Sequence, residues 1–525
     1  MANKALFRSL VGKFAPAADA VNEAGGLAYR LSPKAALAQY AATGCMNATF
    51  YASAGEQLQN ILNLCSHPEV EPEFIARVAL YARAKAHMKD VPALLCAALS
   101  VFSPGLLAEI FDRVIDDGRM LRNFVQIMRS GVVGRKSLGT LPKRLVQNWF
   151  DSRSDDQIFR VSVGNDPNLA DVIRMVHPKP STASRAALYG YLVDQPHDAA
   201  NLPELVKQYK AFKAGESTNP PEVPFQMLTS LDLSKENWKT IARNAPWQMT
   251  RMNLNTFARH GVFEDRALTS EIAGRLRDEE AIQRARVFPY QLMVAFTQAS
   301  AEVPVEVRDA LQDAMEIATC NVPAMGDMGV YVFPDVSGSM RSPITGVRKG
   351  ATTAVRCIDV AALITATIVR TNRQTQVLPF ESKVVDIRLN ARDSVMTNAK
   401  VLSSIPAGGT NCSAPLAELN RRNATGDLLI YISDNESWVD SPWYGRFGGN
   451  RTETLNQWSA FKARNPGAKL VCIDLQPYAT TQAAEREDIL NIGGFSDRVF
   501  DVIAEFAKGT LNTQHWVGVI EAVSL

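Results

Sequence analysis

A change of pattern near residue 322 most constrains what this chain can fold into. Before it, every recognisable segment has helical spacing; after it, short apolar runs alternate with helical ones. In the first part Phe74, Val78 and Tyr81 fall at i, i+4 and i+7, one apolar face of a helix. Asp90 reads as an N-cap with Pro92 in the first turn, where a missing N–H costs nothing, and LLCAALSVF follows. Ser103-Pro104 opens the next helix in the same way. Further helices are expected near 119–130, 140–150, 167–176, 183–193, 203–213, 234–244, 250–259, 289–300 and 305–319. No strand is evident there and no strict repeat. Residues 1–322 therefore read as a degenerate α-solenoid of stacked helix pairs, with an ordinary multi-helix domain as the plainer alternative.

Residues 323–525 read differently. Strands are expected at 328–333, 376–380, 384–389, 428–433 and 469–475, and helices at 351–371, 394–404, 453–464 and 497–508. Alternation of this kind predicts βαβ units, a mostly parallel doubly wound sheet, and a ligand site at the C-terminal strand ends. Hydrophobic residues at 46% of the chain and charged residues at 21% supply cores for both parts and exclude a mainly disordered protein. No apolar run approaches the ~18–20 residues that span a bilayer, so no membrane association is expected. MANKALFRSLVGKF is basic and amphipathic but lacks an apolar core and cleavage site, which argues against a secretory signal. The seven cysteines are odd in number and scattered, with no C-x-x-C, which fits a reducing, cytoplasmic setting.

The predicted strand ends carry chemistry. YVFPDVSGSM places Asp335, Ser337 and Ser339 after the first strand, turning through Gly338. IPAGGTNCSAPL adds Thr410 after a Gly-Gly loop, and LLIYISDNES adds Asp434 at the end of a buried strand. Two carboxylates and three hydroxyls are hard oxygen ligands suited to Mg²⁺ or another divalent cation. The plainer reading of D-x-S-x-S alone is a turn capping the next helix. Pro334 must sit where the strand is ending. The rim loop SPWYGRFGGNR (441–451) reads either as a partner contact or as a packed surface loop.

The formal charge of +2 hides clustering. Residues 118–150 hold seven basic residues and no acid: Arg119, Arg122, Arg129, Arg135, Lys136, Lys143 and Arg144. The acid-free stretch 172–193 adds Arg174, His177, Lys179 and Arg185, and 237–263 adds Lys239, Arg243, Arg251, Arg259 and His260. By contrast, residues 321–525 hold 20 basic and 20 acidic residues. Positive charge gathered on a few helices is the footprint of phosphate binding, unless acids elsewhere balance it in space. No P-loop, nucleophile–base pair or paired-carboxylate spacing appears, so no catalytic residue is assigned.

Several segments together resemble one family. GGLAYRLSPKAALAQYAATG with NATFYAS, DVIRMVHPKPS, WKTIARNAPWQMTRMNL and RARVFPYQLMVAF are similar to the TROVE module. The metal set resembles the metal-ion-dependent adhesion site of von Willebrand factor A (vWA) domains. The order, from about residue 25 to 507, resembles bacterial Ro proteins. That resemblance implies a ring of HEAT-like repeats closed by the vWA domain. It implies a cavity for single-stranded 3′ ends of misfolded RNAs and an outer basic surface for a small Y-like RNA. It implies a scaffold for an exoribonuclease such as polynucleotide phosphorylase, and a monomer, since a closed ring needs no second subunit. By motif, His177 matches the histidine of the Y RNA surface, and Lys143 and Arg144 match paired basic residues ahead of Trp149-Phe150. Pro142 inside that helix and the 441–451 insertion depart from the family. The rival readings are a metal-dependent protein-interaction scaffold without RNA, and a metal-dependent hydrolase of RNA ends.

Overall fold

Capping chemistry sets where the helices begin. Ser53 accepts from the Glu56 N–H while Glu56 takes the Ser53 N–H at 2.7 Å, opening Ala54–Cys65. Asn168 and Asp171 do the same for Leu169–Val176. Helix Thr140–Asp151 holds Pro142 in its first turn, where its N–H would have no acceptor, so this residue does not bend the helix. Asp90 is the first residue of its helix rather than the cap, and its carboxylate accepts from Asn123 instead. The helix expected at 250–259 is two, Trp247–Met252 and Leu254–Arg259, broken at Asn253. A computed structural model describes residues 16–43, 46–49, 51–163, 167–229, 231–285, 287, 289–346, 355–437, 451–494, 498–510 and 515–525.

The second part holds a five-stranded parallel sheet. Its strands are β3 (Val330–Pro334), β4 (Gln376–Val377), β5 (Leu428–Ser433), β6 (Lys469–Asp474) and β8 (Ile489–Gly493), in the order β4-β3-β5-β6-β8. Successive side chains feed opposite cores. Val330 and Val332 pack with helix Cys357–Thr371 on one face, and Tyr331 and Phe333 with Leu416, Trp458 and Phe461 on the other. Burial on both faces explains the unbroken apolar runs. The 384–389 segment is not a strand: after the isolated Phe380–Val384 bridge it makes no ladder.

Strands also occur where none was evident. β1 (Ala20–Val21) and β2 (Leu27–Arg30) form a hairpin, and β2 pairs with β7 (Thr480–Thr481) of the second part. The boundary near residue 322 is crossed in the other direction as well, because helix His515–Glu521 packs on helices Pro33–Thr43 and Pro72–Ala84. Helix Pro33–Thr43 also packs on β8, while Pro289–Gln298 and Val305–Ala318 pack on Cys357–Thr371 and Val395–Ser403. The helical array therefore begins and ends on the α/β domain and closes into a ring. No helix among the described residues is long and apolar enough to cross a membrane.

Candidate metal centre and basic groove

The turn after β3 is held by its own side chains. The Ser337 N–H donates to Asp335 Oδ1 at 2.8 Å, and the Ser337 and Ser339 hydroxyls lie 3.2 Å apart. Ser433, the last residue of β5, donates to Asp335 Oδ2 at 2.6 Å. The Gly338 N–H donates to the Gly408 carbonyl at 3.0 Å, which ties this turn to the loop carrying Thr410. Asp335, Ser337, Ser339, Thr410 and Asp434 are all buried. Asp434 Oδ1 accepts weakly from the Glu436 N–H at 3.4 Å, and Oδ2 is buried without a hydrogen-bond partner among the described residues.

No cationic side chain among the described residues pairs with either carboxylate. Burial, and then the neighbouring Asp434 charge, push the Asp335 carboxyl up to about 7. Burial also raises Asp434. A buried carboxylate pair with an orphaned oxygen beside hydroxyls lacks a positive partner, and a divalent cation fits that need. Among the described residues no three His, Cys, Asp or Glu side chains close around one point, so a cation here would need the hydroxyls as further ligands.

The strand ends are not an open rim. Tyr51, from the helical part, reaches Ser339 and feels the Asp434 charge. It also packs edge-on against Tyr478 with ring centroids 6.0 Å apart, and the Tyr478 hydroxyl donates to Thr49 at 3.0 Å. Asn22 donates to the Ser437 carbonyl at 2.7 Å, and the Ala24 N–H to Glu436. Sequence reasoning missed these residues. Glu436 had a signal, two positions beyond Asp434; Tyr51 had none, because it arrives from nearly 300 positions away. Residues 441–450 of the aromatic loop, and the segment MANKALFRSLVGKF, lie outside the described residues.

The basic residues divide into two classes. Arg129, Lys136, Lys143 and Arg144 line one groove of about 660 Å³ with Gln147 and Met175. It runs between helices Gly118–Ser130 and Thr140–Asp151. Gln147 donates to the Val176 carbonyl at 2.6 Å, which brings the end of Leu169–Val176 alongside. His177 caps that helix in the left-handed conformation at φ 48°, exposed, with Lys179 exposed two residues on. Arg135 lies against Gly139 at the same loop. None of these seven makes an ion pair among the described residues.

Other basic residues are already committed. Arg185, expected to contact RNA, is instead 6% exposed. Its guanidinium is bound by Asp155 and donates to the Phe150 and Arg153 carbonyls, so it locks two helices together. Arg174 is exposed but shared between Asp171 and the Val193 carbonyl. In the 237–263 window two cations are balanced by acids: Lys239 pairs with Glu236 at 2.8 Å and Arg243 with Glu271 at 3.6 Å, while Arg251 donates to the Gln291 carbonyl. His260 stacks on Trp238 at 4.1 Å.

Comparison with known proteins gives a consistent picture. Residues 330–507 match the family described as the Ro60 vWA domain. The chain is 25% identical over 523 residues to RNA-binding protein RO60 of Deinococcus radiodurans, covering 93% of this chain and 95% of that one. It is 23% identical over 301 residues to RNA-binding protein RO60 of Caenorhabditis elegans, covering 54% of this chain and 43% of that one. The crystal structure of the D. radiodurans Ro (RSR) protein superposes with a TM-score of 0.60 at 21% identity, covering 91% of this chain and all of that one. A helical array that begins and ends on a domain matching the Ro60 vWA family thus has the fold of the D. radiodurans Ro protein, and the chain is similar to RNA-binding protein RO60 of that organism along nearly its whole length.

Proposed function

We propose that this protein binds RNA, with affinity led by phosphate contacts in the groove of Arg129, Lys136, Lys143 and Arg144. The absence of any acidic partner for these four side chains, among the described residues, carries the reading. Charge left unneutralised by the fold is available to release counterions from a nucleic acid. His177 and Lys179 extend the same surface, and Arg135 supports its loop. Relatives named as RNA-binding proteins support the same conclusion. The finer reading is a ribonucleoprotein with a small Y-like RNA. It would hold single-stranded 3′ ends of misfolded RNAs and serve as a scaffold for an exoribonuclease such as polynucleotide phosphorylase. The groove suits a structured backbone, while selecting an RNA end needs a confined space that duplex does not enter.

The buried oxygen set is the place for Mg²⁺. Asp335, Ser337, Ser339, Thr410 and Asp434 would hold it, and when bound it supplies positive charge to the carboxylate pair. That role is structural or partner-directed rather than hydrolytic.

The test is fluorescence anisotropy with a small hairpin RNA bearing a single-stranded 3′ tail. We expect the Arg129, Lys136, Lys143 and Arg144 quadruple Ala variant to bind at least about 100-fold more weakly near physiological salt. Unchanged affinity in a folded variant would reject the groove as the RNA surface. Partner capture that requires Mg²⁺ and resists ribonuclease would favour the protein-interaction scaffold instead.

A further inference from the structure

Beside edge strand β4 a hairpin begins and then fails to close. Phe380 bridges Val384, and the Val385 N–H donates to the Pro379 carbonyl at 2.8 Å. Continuing that register would set Ile387 against Val377, but no ladder forms. A cleft of about 1010 Å³ lies between them, lined by β4 and by 384–389.

The backbone of β4 faces this cleft. Leu378 and Phe380 donate their N–H groups to Val332 and Pro334 of β3. Alternate residues of a parallel strand bond to one side, so Val377 and Pro379 point the other way. The Pro379 carbonyl is taken by Val385; Val377 directs its N–H and carbonyl outward. Thr375, which also lines the cleft, has a buried hydroxyl with no partner among the described residues. Val385, Ile387 and Leu389 are half-buried there, alternating with exposed Asp386 and Arg388. An unpaired edge with an apolar lining is the setting for β-strand addition.

Charge selects the occupant. Arg373, Lys383, Arg388, Arg421 and Arg422 line the cleft against only Asp386 and Glu418. Glu418 is already bound by both Arg421 and Arg422 at 2.6 Å. Arg373, Lys383 and Arg388 are exposed and have no ion pair among the described residues. We infer that this cleft is a docking site for an extended acidic peptide of a partner protein, which adds a strand to β4 and sets its carboxylates against these cations. Its apolar side chains would lie on Val385, Ile387 and Leu389. The edge strand and open ladder favour a peptide over RNA, because they offer backbone hydrogen bonds in strand register.

The experiment uses the full chain and fluorescein-labelled peptides in polarisation assays. One peptide alternates Val and Glu. A second carries Pro at alternate positions, which removes the N–H donors, and a third alternates Val and Lys. We expect only the first to bind, and to bind about tenfold or more weakly to Arg373→Glu with Arg388→Glu. Thermal melts confirm that this variant is folded. No binding of the Val/Glu peptide overturns the inference. Equal binding of the Pro-containing peptide overturns it too, since the contact would be charge alone. Oligouridylate binding that is lost in the variant, with no peptide binding, assigns the cleft to RNA and equally overturns it. The RNA groove of Arg129 to Arg144 is untouched by these changes, so failure here leaves that proposal standing.

Discussion

Asp434 Oδ2 is a buried charge-bearing oxygen with nothing to satisfy it among the described residues, and its neighbour Asp335 is held up to about 7. The folded-state value lies above the ordinary carboxylate range. This group's contribution is therefore full at low pH and is lost as pH rises through about 7. A divalent cation competes with the same proton, so Mg²⁺ should raise the melting temperature more at pH 8 than at pH 6. Asp434→Asn should abolish that Mg²⁺ shift. In the metal-free protein at pH 8 it should stabilise by about 1–3 kcal/mol, since a neutral amide replaces an unsatisfied charge. Differential scanning fluorimetry with and without EDTA reads both outcomes. Cysteines give a second residue-scale prediction. Cys65, Cys96, Cys357, Cys412 and Cys472 are buried, and burial pushes Cys65 and Cys472 up to about 12. Among the described cysteines Cys320 alone is exposed, so mass spectrometry after brief iodoacetamide treatment should find it modified ahead of the five buried ones. The candidate oxygen cluster was legible in the sequence because Asp335, Ser337 and Ser339 fall within five positions and Asp434 directly follows the strand Leu428–Ser433. The cover over it was not, because Tyr51 and Thr49 are brought there only by ring closure.

Elements were legible where one signal dominated. Helix Glu453–Arg464 matches its expected span, with Thr452 capping it, and β5 matches the run LLIYIS. β8 was hidden because Asn491 interrupts its apolar run. In the fold that side chain accepts from Thr481 and donates to the Ala483 carbonyl, so a polar residue sits in a buried strand without penalty. The 384–389 segment misled in the opposite sense: it alternates like a strand, but its ladder partner is missing. Hairpin β1–β2 is too short to show a period, and its pairing with β7 is a tertiary event. At the end of β8, Gly494 sits at φ +85° with the Ala42 carbonyl oxygen 2.6 Å from where a Cβ would be. Gly494→Ala should therefore cost about 1–2 kcal/mol from backbone strain alone, with the overlap against helix Pro33–Thr43 adding to it. Gly467→Ala, where a Cβ meets nothing within 4 Å, should stay within about 0.5 kcal/mol. Urea unfolding of both variants checks the contrast, and a larger loss at Gly467 would contradict this account of the seam.

At the scale of the whole molecule, charge matters by placement and not by total. A chain with a formal charge of +2 has no general attraction for nucleic acid. The same count permits two very different helical windows, and sequence alone could not separate them, because only the fold shows which acids come within reach, whether one turn away like Glu236 or 28 positions away like Glu271. Around residues 118–150 the cations of the groove have no ion pair among the described residues, whereas Lys239 meets Glu236 one turn back in its own helix and Arg243 meets Glu271 of a neighbouring helix. Salt dependence distinguishes the two. Each phosphate contact contributes about 0.7–0.9 to the slope of log affinity against log salt. Changing Lys143 and Arg144 to Ala should therefore flatten the slope by about 1.5, while changing Lys239 and Arg243 should move it by less than about 0.5. Anisotropy titrations of one hairpin RNA over a range of KCl concentrations measure both slopes. Equal flattening in the two variants would mean that RNA wraps the ring by diffuse attraction. A change confined to Lys143 and Arg144 would place its backbone in the groove of Arg129, Lys136, Lys143 and Arg144, whose positive charge no acid among the described residues answers.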